Sequence, residues 1–311
     1  MSGRMLIVAF QVIASSAVLW GCGGGEESSP QGAQVPAPNG ESKPGMTTPE
    51  EATLESELVA PDGADEPGAA EPASVSDTID LWTYGRLLTA LVTEDGLVRY
   101  ELLDEPVAEE ALEAVVRFFA EAPLPGGEEE RIALWCNAYN ANVLLAVARE
   151  RRREGFESVA KAPGFFDRRL ITVAGEALTL NDLENARIRG AGDGRVHAAL
   201  VRGAMGGPPL RNEPYVAERI DEQLDDQCVR WINDAAAFRM VDGEAGLSEV
   251  LEWCAGDFDA EPYGGVLGFV LAYADPGGAL ARYIVNADRP RWRWIPFDWR
   301  LNQAPQSGSG L

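Results

Sequence analysis

The chain has 311 residues, 46% of them hydrophobic, enough to bury a sizeable core, and carries a formal net charge of -24. So acidic a balance excludes electrostatic capture of nucleic acid or of anionic headgroups, which need a concentrated basic surface. The single histidine, His197, excludes two-histidine and His-rich metal sites, so no metal and no cofactor is expected, and four cysteines are too few for a disulfide-scaffolded secreted domain.

Arg4 precedes an apolar run from Met5 to Trp20, shorter than the roughly 20 residues a membrane-spanning helix needs. It reads as the core of a signal peptide over residues 1–21. The run ends in Leu19-Trp20-Gly21-Cys22, which resembles the bacterial lipobox. That resemblance implies lipidation of Cys22 and a protein anchored to the membrane by its acyl chains. Gly23 agrees with sorting to the outer membrane in lipoproteins with a similar signal, the domain facing the periplasm or the cell surface. From residue 22 to 78 the chain is rich in Gly, Pro, Ala, Ser and acid, and Lys43 is its only basic residue. It reads as a disordered, self-repelling tether. With Cys22 lipidated, Cys136, Cys228 and Cys254 remain, and Cys228 with Cys254 is the disulfide to expect if one forms.

A globular domain is expected over residues 79–302, followed by a flexible tail over 303–311. Leu81, Tyr84, Leu87, Leu88 and Leu91 recur at helical spacing, and Leu97–Tyr100 reads as a short extended piece. A second helix is expected from Ala108 to Ala122, stopped by Pro123, and a third from Glu128 to Arg153. The third carries Ile132, Trp135, Tyr139, Val143 and Val147 on one face and should be the central core helix. Ala174-Gly175 divides Leu170–Val173 from Glu176–Leu178 as a hairpin, and a helix follows with Asn181 as N-cap and Glu184 closing a capping box. Val196–Val201 reads as a strand leading into a Gly-Pro loop from Gly203 to Pro209. A long amphipathic helix is expected from Pro214 to Asn233, with Ile220, Leu224, Cys228 and Trp231 in register. A second hairpin follows around Asp242-Gly243, then helices starting near Ser248, Gly264 and Gly278, and a closing strand from Trp292 to Trp299. The sum is a helix-rich single domain of the α+β class with small antiparallel sheets.

Four segments carry a resemblance: Leu134-Trp135-Cys136-Asn137-Ala138-Tyr139-Asn140, then Leu178–Asn185, then Arg195-Val196-His197-Ala198-Ala199-Leu200, and Phe297-Asp298-Trp299-Arg300-Leu301-Asn302. In order and spacing they resemble the domain of unknown function 547, from about Tyr84 to Asn302. The resemblance implies a single domain with no firmly established reaction. One departure stands out: where that family carries two cysteines in the loop before Pro-Pro-Leu, this chain has Arg202 and Gly207, just ahead of Pro208-Pro209-Leu210.

Residues 79–302 contain only Ser158 and Ser248, neither in a Gly-x-Ser-x-Gly elbow, which argues against a serine hydrolase. His197 is the one imidazole available as a general base, with Glu184 to orient it or to act as a carboxylate base, and Cys136 is the one thiol within the motifs. Against these roles stand ordinary ones: a hydrogen-bonded core histidine, a capping glutamate, a buried thiol. Asn137, Tyr139, Asn140, Asn181 and Asp298 either line a polar pocket for an amide or a sugar or tie the core helix to loop backbone. Arg211 either binds a carboxylate or pairs with a surface acid. The sequence thus supports a tethered, non-catalytic domain that binds an envelope peptide, glycan or protein. The alternative is a hydrolase or transferase of amide or ester bonds using His197 with Glu184 or Cys136.

Overall fold

A computed structural model describes residues 80–305. The expected signal segment, the lipidation site Cys22 and the whole of the tether lie outside the described residues, as does the tail beyond 305. Asp80 opens the fold: its carboxylate accepts the Thr83 amide at 2.9 Å and starts α1 (Leu81–Leu91). Leu97–Tyr100 forms no strand; Val98 makes single bridges to Val92 and Gln303, and Tyr100–Asp104 winds into a 3₁₀ turn. Through that bridge the chain end is held, because the Val98 amide donates to the Asn302 carbonyl and the Ala304 amide to Val98. The expected tail is therefore still tied down at Gln303 and Ala304.

Pro106 supplies the fixed φ of a first helical turn for α2 (Pro106–Glu121), and α3 (Glu128–Glu150) follows with Glu128, Glu129 and Glu130 in its first turn and Arg149 in its last, each on the side the helix dipole favours. The sequence predicts one apolar face for α3, but every residue from Cys136 to Ala148 is buried. A helix enclosed on all sides can hold polar side chains only if they are bonded. Asn137 Nδ2 donates to the Tyr215 carbonyl at 2.8 Å, and its Oδ1 accepts the Tyr215 amide at 2.9 Å. Asn140 repeats the pattern, donating to the Ala199 carbonyl and accepting the Val201 amide, both at 2.9 Å. Each asparagine thus completes the backbone bonding of a loop that has no strand beside it.

The first hairpin forms as expected from β1 (Leu170–Val173) and β2 (Glu176–Thr179). Its two-residue turn needs positive φ at both positions, met at Ala174 (49°) and Gly175 (77°). The turn amides donate to Phe119 and Ala120, satisfying carbonyls at the C-terminal end of α2. Helical structure resumes as α4 (Leu180–Asp182) and a π-helical turn, Leu183–Ile188. Val196–Val201 is not a strand: Val196–Ala199 is a short helix, α5. All of its side chains are buried, so neither helical nor strand periodicity is visible in so short an apolar run. Next, α6 (Ile220–Ile232) starts later than Pro214, because the amides of Tyr215 and of the extended Val216 donate to Asn137 and Gln223 and Ala217–Arg219 forms a 3₁₀ turn. Ile220, Leu224, Cys228 and Trp231 are all buried on it as expected.

The second sheet has the order β3 (Arg239–Val241), β4 (Glu244–Ser248), β5 (Trp292–Ile295). The hairpin β3–β4 is antiparallel, while β5 returns parallel to β4 through α7 (Val250–Trp253), α8 (Val266–Tyr273) and α9 (Ala279–Asn286). The molecule is thus helix-rich α+β, with one of its two small sheets mixed. Among the described residues no helix is long and apolar enough to cross a membrane.

Replacing Asn140 or Asn137 by Ala leaves one buried carbonyl and one buried amide unpaired. Each substitution is expected to lower unfolding stability by about 2–4 kcal/mol, read from urea denaturation. A loss below 1 kcal/mol would mean that water readily replaces the amide.

Candidate functional site

The π-helical turn, α5 and the start of the Gly-Pro loop converge on α3 and bring together residues that are distant in sequence. The local cause is a cap two residues earlier than expected. Thr179 Oγ1 accepts the Asp182 amide at 3.1 Å, and the Asp182 carboxylate accepts the Thr179 amide at 3.0 Å. Asn181 is therefore not the N-cap and Glu184 not the capping acid; Asn181 is exposed, and Glu184 turns into the interior at 7% exposure.

There Glu184 meets Arg202. Both guanidinium nitrogens Nη1 and Nη2 donate to its carboxylate at 2.7 Å, and the buried Tyr139 hydroxyl lies 3.4 Å from it. Burial pushes the Glu184 pKa up, but the charge and hydrogen bonds of Arg202 outweigh burial and hold it below the usual carboxylate range. Burial likewise opposes the charge on Arg202, and Glu184 more than compensates.

His197, on α5, is 1% exposed. Its Nε2 donates to Asp257 Oδ2 at 2.7 Å, while Arg189 donates to both oxygens of Asp257 at 2.7 and 3.0 Å. The hydrogen bond from His197, with the Arg189 guanidinium, holds the Asp257 carboxyl far below its usual range. The second imidazole nitrogen, Nδ1, is buried without a partner, and the Phe258 ring lies beside the imidazole at 5.9 Å.

Of the thiols, Cys254 lies close enough to this centre to feel the charges of Arg202, Asp257, Arg189 and Glu184, and its carbonyl accepts the Asp257 amide at 2.9 Å. Cys136, Cys228 and Cys254 are all free and buried, so the expected Cys228–Cys254 disulfide is absent. The Cys228 thiol contacts the Arg195 carbonyl, and the Cys254 thiol donates to the Val250 carbonyl at 3.0 Å. Burial pushes Cys254 up to about 12 and Cys136 higher still, so neither thiolate forms near neutrality.

The remaining expected residues separate into other roles. Asn137 and Asn140 bond loop backbone, as described. Arg211 pairs with Glu213 and Asp226, and Asp298 pairs with Arg300. Two cavities flank the Gly-Pro loop. One, of about 400 Å³, is lined by Gly96, Leu97, Met205, Gly207, Pro208, Pro209 and Arg230. The other, of about 370 Å³, is lined by Met205, Gly206, Ser248, Phe297, Asp298 and Arg300. Both include Met205 and Ala236, and neither is lined by His197 or Glu184. A third cavity of about 470 Å³ lies between α2, α3 and β1 and is lined by none of Glu184, Arg202, His197 and Asp257. Among the described residues no group of three or more His, Cys, Asp or Glu converges as metal ligands.

Sequence reasoning missed Arg202 as a partner, and Asp257 altogether. For Arg202 a signal existed, since an arginine ending the apolar run Ala198–Val201 must find a buried acid. For Asp257 there was none: it lies 60 residues from His197 in a 3₁₀ turn without a motif.

The fold and its centre define a helix-rich α+β domain built around a buried Glu184–Arg202 ion pair and a half-buried Asp257 that joins Arg189 to the buried His197. A family model described as "Protein of unknown function, DUF547" matches residues 126–232, bearing out the resemblance over that segment. The match covers α3, Glu184, His197, Arg202 and α6, and leaves Asp257 and Phe297–Asn302 outside. No curated protein and no solved structure matches significantly.

Two predictions follow from the ion pairs. Glu184→Ala or Arg202→Ala alone should destabilise the domain by about 3–5 kcal/mol, because a charge is left buried alone, whereas Glu184→Leu with Arg202→Met should be far milder. Denaturation of the three variants tests this; additive losses would refute the coupling. Acid should also weaken the fold. Glu184 and Asp257 have folded pKa values below their unfolded ones, so their stabilisation is complete above about pH 4–5 and is lost as pH falls toward the folded values. Asp257→Asn should flatten the acid limb of the urea midpoint plotted against pH.

Proposed function

We propose that the chain is a lipid-anchored envelope protein whose domain is a non-catalytic binding module, its ligand held in the cavities beside the Gly-Pro loop. The observation that carries this is the bidentate contact of Arg202 on Glu184 at 2.7 Å. It engages the carboxylate that a general-base role would require to be free, from the position where the resemblance places a thiol. The imidazole offers no alternative, since Nε2 donates to Asp257 and Nδ1 points into packed interior. The apolar run before Cys22 and the acidic tether support the anchored setting, with an envelope peptide, glycan or protein as partner.

One observation favours the hydrolase or transferase reading: the 2.7 Å contact between His197 and Asp257 resembles the base and orienting acid of nucleophilic catalysis. No free attacking atom faces it among the described residues: Cys136 is fully buried, the buried Cys254 thiol is held on the Val250 carbonyl and pushed up to about 12, and Glu184 is occupied. Assays with 4-nitrophenyl acetate and alanine 4-nitroanilide decide between the two. The wild type should turn over neither substrate faster than His197→Ala, and intact mass should show no acyl adduct. Turnover lost in His197→Ala with unchanged melting would establish the hydrolase instead.

A further inference from the structure

The third buried asparagine of α3 is bonded differently from the other two. Asn137 and Asn140 each use both ends of the side-chain amide on loop backbone. Asn142 Nδ2 donates to the Ala138 carbonyl at 2.8 Å, one turn back on its own helix, and among the described residues no group donates to its Oδ1. The residue is 7% exposed and lines the 470 Å³ cavity between α2, α3 and β1. An oxygen so enclosed is costly unless something donates to it, and the cavity is the open space beside it. Val116, Ala120, Leu145, Ala146 and Ile171 make the cavity walls apolar. Arg117, Arg149 and Arg169 also line it, against one acid, Glu113. Glu109 and Glu113 hold Arg149, and Glu150 holds Arg169. These acids do not cancel the arginines, because Glu109 is shared with Arg152 and Glu150 with Arg153. Arg117 is exposed and has no acidic partner among the described residues, and the Nη1 groups of Arg149 and Arg169 make no hydrogen bond there. In a chain with 26 basic and 50 acidic residues, this cavity is locally of the opposite sign.

We infer that this cavity binds the free C-terminal end of a peptide whose last residue is apolar. The site shares no lining residue with the cavities beside the Gly-Pro loop and does not depend on what those hold. The terminal carboxylate matches the unengaged guanidinium donors at the rim. The last peptide N–H supplies the donor that Asn142 Oδ1 lacks, and the apolar side chain covers the walls. A fatty acid brings the carboxylate and the apolar body but no N–H, and inorganic phosphate brings no apolar body.

Calorimetric titration of the full chain with N-acetyl-alanyl-leucine, with its C-terminal amide and with octanoate tests this. The peptide acid should bind with millimolar affinity or better, and the amide and octanoate each at least about tenfold more weakly. Arg117→Gln, at an exposed position, should weaken the peptide acid at least about tenfold with unchanged melting. Arg86→Gln, which removes an exposed arginine on α1 that does not line the cavity, should bind as the wild type does. Asn142→Leu should weaken the peptide acid but not octanoate; if that variant does not fold, the acid–amide comparison and Arg117→Gln still decide. The inference is overturned if the peptide acid does not bind at about 10 mM, if the amide or octanoate binds as tightly as the acid, or if Arg117→Gln binds like the wild type. Those outcomes leave the non-catalytic reading intact, which fails only on turnover dependent on His197.

Discussion

The fold depends on one constraint: α3 is enclosed on every side, yet much of what encloses it is loop. A sheet or a helix satisfies its own backbone, but the stretches at Ala199–Val201 and Tyr215 have neither partner. The amides of Asn137 and Asn140 supply the missing donor and acceptor, two bonds to each stretch. Asparagine suits the task because its side chain presents the same pair of groups as a peptide unit. These two residues therefore set where α5 ends and where the chain turns toward α6.

That placement brings the charged centre into being. With α5 fixed against α3, His197 faces the turn that carries Asp257, and the residue just past Val201 is directed at the π-helical turn. The extra residue of π-helical winding lies where Glu184 sits, a common position for functional side chains. In this chain the consequence is an ion pair sealed by the Tyr139 hydroxyl. Burying two charges is unfavourable unless geometry and hydrogen bonds are good, and the bidentate contact meets that condition. The cluster thus specifies one packing arrangement more than it adds net stability.

Much of the fold was legible in the sequence where periodicity was long or punctuation strong. The helices α1, α2 and α3 and both hairpins emerge near their expected bounds, because Pro106, Pro123, Ala174-Gly175 and Asp242-Gly243 impose backbone geometry locally. Val196–Val201 failed as a strand because a run buried on all sides carries no period. The cap at Thr179 was displaced because Thr179-x-x-Asp182 and Asn181-x-x-Glu184 are both plausible capping pairs, and only packing of Glu184 against Arg202 selects between them. Within the site, the roles of Asn137 and Asn140 were among the alternatives the sequence offered. The Asp257 contact was not, since it joins segments 60 residues apart and Asp257 lies in no motif.

Arg202 and Gly207 also restrict how this loop can change. A Cβ at position 207 would lie 2.9 Å from Arg202 Cγ and 3.0 Å from its Cβ, so the arginine stem fills the room that a side chain there would take. The two sites at which the resemblance places cysteines therefore confront each other directly. A thiol at 207 collides with the arginine while the arginine stays, and loss of the arginine first strands Glu184 in the interior. Neither single substitution is neutral in this loop, so positions 202 and 207 are coupled and can change without strain only together.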